Sequence, residues 1–188
     1  SKVEFRVNGT LQATVITHGG NEYKWSWNSA SLGDSLPTLN ATRYDVNGSK
    51  AWDQLVVKVN NVPPTATWLA PGNATRTQGN TTFVANARDF HGIGRVEFYV
   101  DNVLKGTVAA ANAGPDNYTW VWDTSSYSNA WHTLKALAWD VGGLKSAPVT
   151  RSVFVDNVQG IRILQPTATD YYTGTVPVVA NVNNTDVT

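Results

Sequence analysis

No cysteine occurs among the 188 residues, which excludes a disulfide framework and any thiolate metal site. Such a chain must hold its fold by burial alone. Methionine is missing too, so the sequence does not open on a start codon and is expected to be a mature or excised segment. Charge is scarce: Asp, Glu, Lys and Arg make up 15% of the chain, and 14 acidic residues balance 14 basic ones. Without a basic excess to neutralise phosphates, nucleic acid is not an expected partner. No apolar run reaches the length of a membrane helix and no leader pattern remains, so membrane insertion is not expected.

What is present leans one way. Thr, Val, Tyr and Trp, which favour strands, are abundant, as are the turn formers Asn and Gly, while Glu, Gln and Lys are sparse. The pattern is clearest in the middle of the chain. Thr65–Leu69 is a short strand candidate ended by Pro71-Gly72, and Thr81–Ala87 places Thr81, Phe83 and Ala85 on one side. In Arg95–Asp101, Val96, Phe98 and Val100 alternate with Glu97, Tyr99 and Asp101, as in a half-buried antiparallel strand. Val103–Val108 follows a turn at Asp101-Asn102. Tyr118, Trp120 and Trp122 share one face, and Leu134, Ala136 and Ala138 share another within His132–Trp139. Asp140-Val141-Gly142-Gly143 is a tight turn with glycine available for positive φ. Val149–Val155 closes the series. Seven short strands separated by turn signals predict an all-β protein built of immunoglobulin-like antiparallel sandwiches, seven strands each.

Internal repetition sets the organisation. Val3-Glu4-Phe5-Arg6-Val7-Asn8-Gly9 matches Val96-Glu97-Phe98-Tyr99-Val100-Asp101-Asn102, and Tyr23-Lys24-Trp25-Ser26-Trp27-Asn28 matches Tyr118-Thr119-Trp120-Val121-Trp122-Asp123. Leu39-Asn40-Ala41 leading to Asp45 matches Leu134-Lys135-Ala136 leading to Asp140, and Val59-Asn60-Asn61-Val62 matches Val155-Asp156-Asn157-Val158. The offsets are 93, 95, 95 and 96 residues. A partial third copy echoes Leu69-Ala70-Pro71 in Leu164-Gln165-Pro166 and Val84-Ala85-Asn86 in Val179-Ala180-Asn181. The expected domains are therefore 1–62, the back part of one sandwich; 63–157, a complete one; and 158–188, the front part of the next. Eight residues from Asn181 to Thr188 and five from Ser1 to Phe5 equal the thirteen from Asn86 to Phe98. Reading the end into the beginning thus restores a sandwich in register. This predicts one period of a longer array, either as a continuous polypeptide, the favoured form, or as separate subunits that exchange strands.

The blocks Val96–Asn102, Tyr118–Asp123 and His132–Ala136 running into Asp140–Gly143 resemble the bacterial immunoglobulin-like domains that occur in tandem in large surface proteins. Such domains also serve as accessory modules of secreted polysaccharide-degrading enzymes. The first copy departs from the pattern at Pro37, which stands where His132 stands in the second, and at its turn Asp45-Val46-Asn47-Gly48. The resemblance implies surface display, adhesion or spacing at an extracellular or cell-surface location, with no chemistry of its own.

The residue types and spacings along the chain agree with that expectation. His18, His91 and His132 have no histidine partner at metal-ligand spacing and are expected to be exposed or at a strand start. No Gly-x-Ser-x-Gly elbow and no phosphate-cradling glycine loop occurs. No catalytic residue, cofactor or metal ligand is therefore assigned. Asp45, Asp101, Asp140 and Asp156 recur at turns, where a short carboxylate closes the loop by accepting backbone amides. The rival reading is calcium at the domain junctions, but Asp156-Asn157-Val158 offers one carboxylate and Asn60-Asn61-Val62-Pro63-Pro64 none, against the six to eight oxygens calcium takes.

The tryptophan stripes are expected to be core, since they recur in both copies at strand spacing. Trp52, Trp68, Trp131 and Trp139 are the candidates for exposure, and Trp131, expected in a loop, and Trp139 for stacking on sugars. Asn-x-Ser/Thr occurs at Asn8, Asn40, Asn47, Asn73, Asn80, Asn117 and Asn183, several of them in predicted turns, which makes them candidate N-glycosylation sites. The expected role is a structural unit of an extracellular filament, surface stalk or giant adhesin. Its partners would be neighbouring copies, head to tail, and surface glycans. The alternative is an accessory spacer or carbohydrate-binding module of a secreted enzyme.

Overall fold

The structure is a computed structural model that describes residues 1–16, 20–157, 161–167 and 171–182. Two compact units form. One comprises Ser1–Thr65 with Arg88–Gly94 and Trp139–Ser146, the other Ala66–Ala87, Arg95–Ala138 and Ala147–Thr188. Regular structure among the described residues is β throughout, and no helix there is long and apolar enough to cross a membrane.

The middle of the chain carries a two-layer sandwich. Its strands are β5 (Thr65–Ala70), β6 (Thr75–Thr77), β7 (Asn80–Arg88), β8 (Ile93–Val100), β9 (Val103–Val108), β10 (Asn117–Asp123), β11 (Trp131–Asp140) and β12 (Val149–Val155). One sheet has the order β10-β7-β5 and the other β6-β12-β11-β8-β9. The alternation read from the sequence is the alternation of burial. Thr81, Phe83, Ala85 and Ala87 point inward from β7, Val96, Phe98 and Val100 from β8, Leu134, Ala136 and Ala138 from β11, and Val153 and Val155 from β12. Each large apolar side chain removed from water in this way contributes roughly 1.5–3 kcal/mol. The sandwich has eight strands rather than the expected seven. The addition is β6, three residues paired parallel to β12, too short to show an alternation.

The front of the chain repeats one layer of that sandwich. β1 (Lys2–Val7), β2 (Thr10–Ile16), β3 (Thr38–Tyr44) and β4 (Lys50–Val56) form a sheet in the order β2-β1-β3-β4. By the sequence offsets these strands correspond to β8, β9, β11 and β12, which neighbour one another in the same order. The likeness extends to atoms. The β1–β2 register slips between Phe5 and Arg6, and the β8–β9 register between Phe98 and Tyr99. Both hairpins turn on two residues at positive φ, Asn8 (49°) with Gly9 (79°) and Asp101 (49°) with Asn102 (65°), as a two-residue hairpin loop of the right twist demands. Asn8 Oδ1 accepts from the Thr38 amide at 3.0 Å, and Asp101 Oδ1 from the Thr133 amide at 2.9 Å. Asn61 Nδ2 donates to the Ser29 carbonyl at 2.7 Å, and Asn157 Nδ2 to the Thr124 carbonyl at 2.6 Å.

Near the end of the chain, β13 (Ile161–Gln165) and β14 (Val179–Val182) pair antiparallel. By offset they correspond to β5 and β7. Gln165-Pro166 is cis, as is Ala70-Pro71 at the matching position.

Candidate functional site

In the sandwich, four rings gather on Phe83: Trp120 at 5.2 Å, Trp68 at 5.3 Å, Trp122 at 5.7 Å and Phe98 at 6.0 Å between centroids. Trp120 also stacks on Phe98, 6.4 Å apart with an 18° tilt. The first unit reproduces that stack: Trp25 lies on Phe5 at 5.6 Å with a 25° tilt. Among the described residues of that unit no strand corresponds to β7. Where Phe83 would lie, a groove of about 270 Å³ opens, lined by Phe5, Trp25, Trp27, Leu39, Ala41 and Leu55 among others. The segment 22–29, which holds the block Tyr23–Asn28 that matches β10, belongs to no ladder. Its side chains nonetheless alternate as in β10: Tyr23, Trp25 and Trp27 are half-buried, while Lys24 and Ser26 are exposed.

Charged groups near this sheet are tied down. The Glu4 carboxylate accepts from Lys2 Nζ at 2.7 Å, Arg6 Nη2 at 2.6 Å and the Tyr44 hydroxyl at 3.0 Å. Lys2 first, then Arg6, hold its pKa down at about 2 against the pull of burial. Glu97 repeats the arrangement with Arg95 Nε at 2.8 Å and the Tyr99 hydroxyl at 2.7 Å. That bond to Glu97, more than burial, pushes the Tyr99 phenol up.

Two of the four turn carboxylates, Asp45 and Asp140, close their own turns as the sequence indicated, whereas Asp101 accepts from the distant Thr133 amide. Asp45 Oδ1 accepts from the Asn47 and Ser49 amides, and these backbone bonds, Ser49 first, lower its pKa. Asp140 Oδ1 accepts from the Leu144 amide at 2.9 Å. Asp156 pairs with Arg76. Local sequence missed one thing in the first unit: Asp34 Oδ1 accepts from the Asn61 and Val62 amides, and Asn60 Nδ2 donates to Asp140. The Asn60-Asn61-Val62 stretch thus does meet carboxylates, brought from far along the chain. No group of three or more His, Asp or Glu side chains with metal-binding geometry occurs among the described residues.

Two histidines depart from the exposed reading. His132 is buried, with Nδ1 2.6 Å from Asp101 Oδ2 and Nε2 3.1 Å from the Ser128 carbonyl. His91 is half-buried, its Nε2 2.6 Å from the Val59 carbonyl. His18 lies outside the described residues.

Of the tryptophans named for exposure, Trp52 and Trp131 are exposed, at 65% and 57%. Trp131 opens β11 instead of lying in a loop, and its ring meets the edge of Phe154 at 5.6 Å. Trp139 is half-buried with Lys145 Nζ over its ring. Trp68 is a correction. It is buried, its indole donating to the Pro71 carbonyl and its ring packed on Phe83, because β5 turns that face into the sandwich.

The sequon asparagines fall into distinct settings. Asn8, Asn47, Asn73 and Asn80 are exposed, the first three in turns or loops and Asn80 at the start of β7. Asn73 Oδ1 accepts from the Ser152 amide. Asn40 lies within β3, not in a turn, and accepts from the Thr42 hydroxyl. Asn117, at the start of β10, accepts from Asn86 Nδ2 and is half-buried. Asn183 lies outside the described residues.

Two facing sheets, antiparallel but for the short β6, around an aromatic core define the class: an immunoglobulin-like β-sandwich. Within it, residues 64–136 match the family model of the bacterial Ig domain, as the motif resemblance implied. None of the curated proteins matches the chain. Among solved structures it is similar to the fibronectin(III)-like modules of CbhA from Clostridium thermocellum, at 24% identity over 84% of this chain and 78% of that one, with a TM-score of 0.44. The SrpA adhesin of Streptococcus sanguinis is 19% identical over 53% of this chain and 58% of that one, with a TM-score of 0.38. A Bacteroides ovatus protein, SGBP-B, in complex with a mixed-linkage heptasaccharide is 15% identical over 86% of this chain and 39% of that one, with a TM-score of 0.28. No activity or ligand passes from these proteins to this chain.

Proposed function

We propose that this chain is a non-catalytic structural unit of an extracellular filament, surface stalk or large adhesin built from tandem Ig-like domains. The supporting observation is atomic repetition. The same sheet order, register slip, hairpin turn and aromatic stack occur in both units, and β13–β14 begin the pattern again. A strand of about seven residues spans roughly 23 Å, so each sandwich with its loops adds on the order of 40 Å to a rod, and stacked units of this kind serve as spacers. Its partners are then further copies, head to tail. The full gene sequence tests this. Many such domains in series support it, and two or three beside a catalytic domain overturn it.

A second reading is favoured by one observation. Trp131 and Trp52 present indoles to solvent, and exposed aromatic faces stack on pyranose rings as they do on other flat apolar surfaces. In that reading the chain is an accessory or carbohydrate-binding module of a secreted enzyme. Pull-down with insoluble polysaccharide tests it. Binding lost on Trp131→Ala supports this reading, and no binding to any polysaccharide removes it. Glycosylation at exposed sequons, Asn8, Asn47, Asn73 and Asn80 first, belongs with either reading. Intact mass of the natural protein before and after deglycosylation decides it.

A further inference from the structure

The groove of the first unit and the last strand of the chain answer one another. Three features of the groove ask for a β-strand. Its floor is apolar, with Leu55 55% exposed beside Phe5 and Leu39. Its hole stands where Phe83 fills the complete sandwich. Along its edge runs the segment 22–29, which has no ladder partner, whereas its counterpart β10 pairs with β7 from Asn117 through Asp123. Unpaired strand edges beside an apolar face are ready templates for another chain.

The register of the missing strand follows from the one that is present. In the sandwich Trp120 stands opposite Phe83, Trp122 opposite Thr81 and Tyr118 opposite Ala85. The repeat offset of 95 carries these pairs to Trp25 opposite Val178, Trp27 opposite Val176 and Tyr23 opposite Ala180. Val176, Val178 and Ala180 alternate, so in an extended strand all three face one way. Val178 is 68% exposed in the structure, as an inward-facing side chain without its core would be. The stretch from Thr175 to Val182 carries no charge, so it meets Arg6 and Asp53 at the groove without like-charge repulsion. Pro177 lacks an amide hydrogen and removes at most one bond from the new ladder.

We propose that this groove is the docking site for a strand with the sequence of residues 175–182, supplied by a neighbouring copy of this sequence and laid antiparallel along residues 22–29. Val178 then takes the place that Phe83 holds in the complete sandwich. Main-chain bonds supply affinity and the alternate side chains supply selectivity, as in strand addition generally. The inference rests on the array reading for its partner, a further copy of this sequence, but not for the groove.

Sedimentation velocity on the purified 188-residue chain tests it, together with two variants. Val178→Arg keeps the groove and spoils the strand; Ala41→Arg fills the groove and keeps the strand. The wild-type chain is expected to grow into oligomers as concentration rises. Each variant alone stays monomeric, and a mixture stops at dimers, because only one competent groove and strand remain. A peptide of residues 173–182 is expected to change the tryptophan fluorescence of the Val178→Arg chain and to bind it at least tenfold more tightly than the same peptide carrying Val178→Arg. That measurement does not need the Ala41→Arg variant to fold. A monomeric wild-type chain that ignores the peptide overturns the proposal, as does oligomerisation that survives Val178→Arg. If the gene proves to hold few such domains while the peptide still binds, the array reading falls and the docking site stands.

Discussion

The carboxylate of Asp101 meets the imidazole of His132 at 2.6 Å, joining the β8–β9 turn to the start of β11. The other ring nitrogen faces the Ser128 carbonyl. Asp101 does two jobs. Its second oxygen accepts the Thr133 amide, and its backbone sits at φ 49°. The first copy places Asn8 at the same φ with the same amide bond, but Pro37 stands where the histidine would be. Asp101→Asn therefore keeps the turn and weakens only the histidine contact. Asp101→Ala loses both bonds and places a side chain poorly suited to positive φ in the turn. Urea unfolding followed by tryptophan fluorescence is expected to rank Ala above Asn in cost, with His132→Ala destabilising by about 1–3 kcal/mol as a buried network is broken.

Phe83 is the centre of the sandwich core, with four aromatic neighbours and no solvent contact. Phe83→Ala removes the transfer energy of the ring and leaves a cavity that stiff indoles cannot fill. The expected loss is about 3–5 kcal/mol, read from the midpoint of chemical denaturation. Phe83→Leu, which refills part of the space, should cost distinctly less.

Gly106 explains how Trp120 lies flat against Phe98. A β-carbon on Gly106 would come within 2.6 Å of the indole, and Gly106 is the residue paired opposite Phe98. Gly106→Ala must displace the ring or bend β9, at a cost of about 1–3 kcal/mol. A shift in tryptophan fluorescence together with a lower denaturation midpoint is the expected result.

Glu4 makes the first unit acid-sensitive. Its pKa, drawn down by Lys2 and Arg6 from 4.5 to about 2, favours the folded state when the carboxylate is ionised. That stabilisation is fully present above pH 4.5 and is lost as pH falls towards 2. Glu4→Gln should therefore lower the thermal midpoint at pH 6. The gap from wild type should close across that window and vanish below it. The same gap at pH 6 and pH 2 would show that the ion pairs contribute nothing to folding.

The strands and their inward faces were legible because alternation is a local property. The period-two stripes of β7, β8 and β11 appear in the order of residues, and the Asp and Asn turns sit between them. The repeat offsets likewise identified the second copy of the sheet. β6 was not legible, because three residues carry no period and its pairing depends on the edge of β12. Trp68 and His132 were misread for a related reason: whether such a side chain is covered depends on strands from other parts of the chain.

The sequence by itself determined that the described residues are β in their regular structure, that the front sheet repeats a layer of the sandwich and that the aromatic stripes alternate along extended segments, since each follows from side-chain order and chain stereochemistry. Only the tertiary structure decided that the stripe at Trp120 is sealed by β7 while the like stripe at Trp25 lines an open groove. The two segments read almost alike. Strand pairing is a bond between distant parts of a chain, so a segment becomes a ladder only where its neighbour is present.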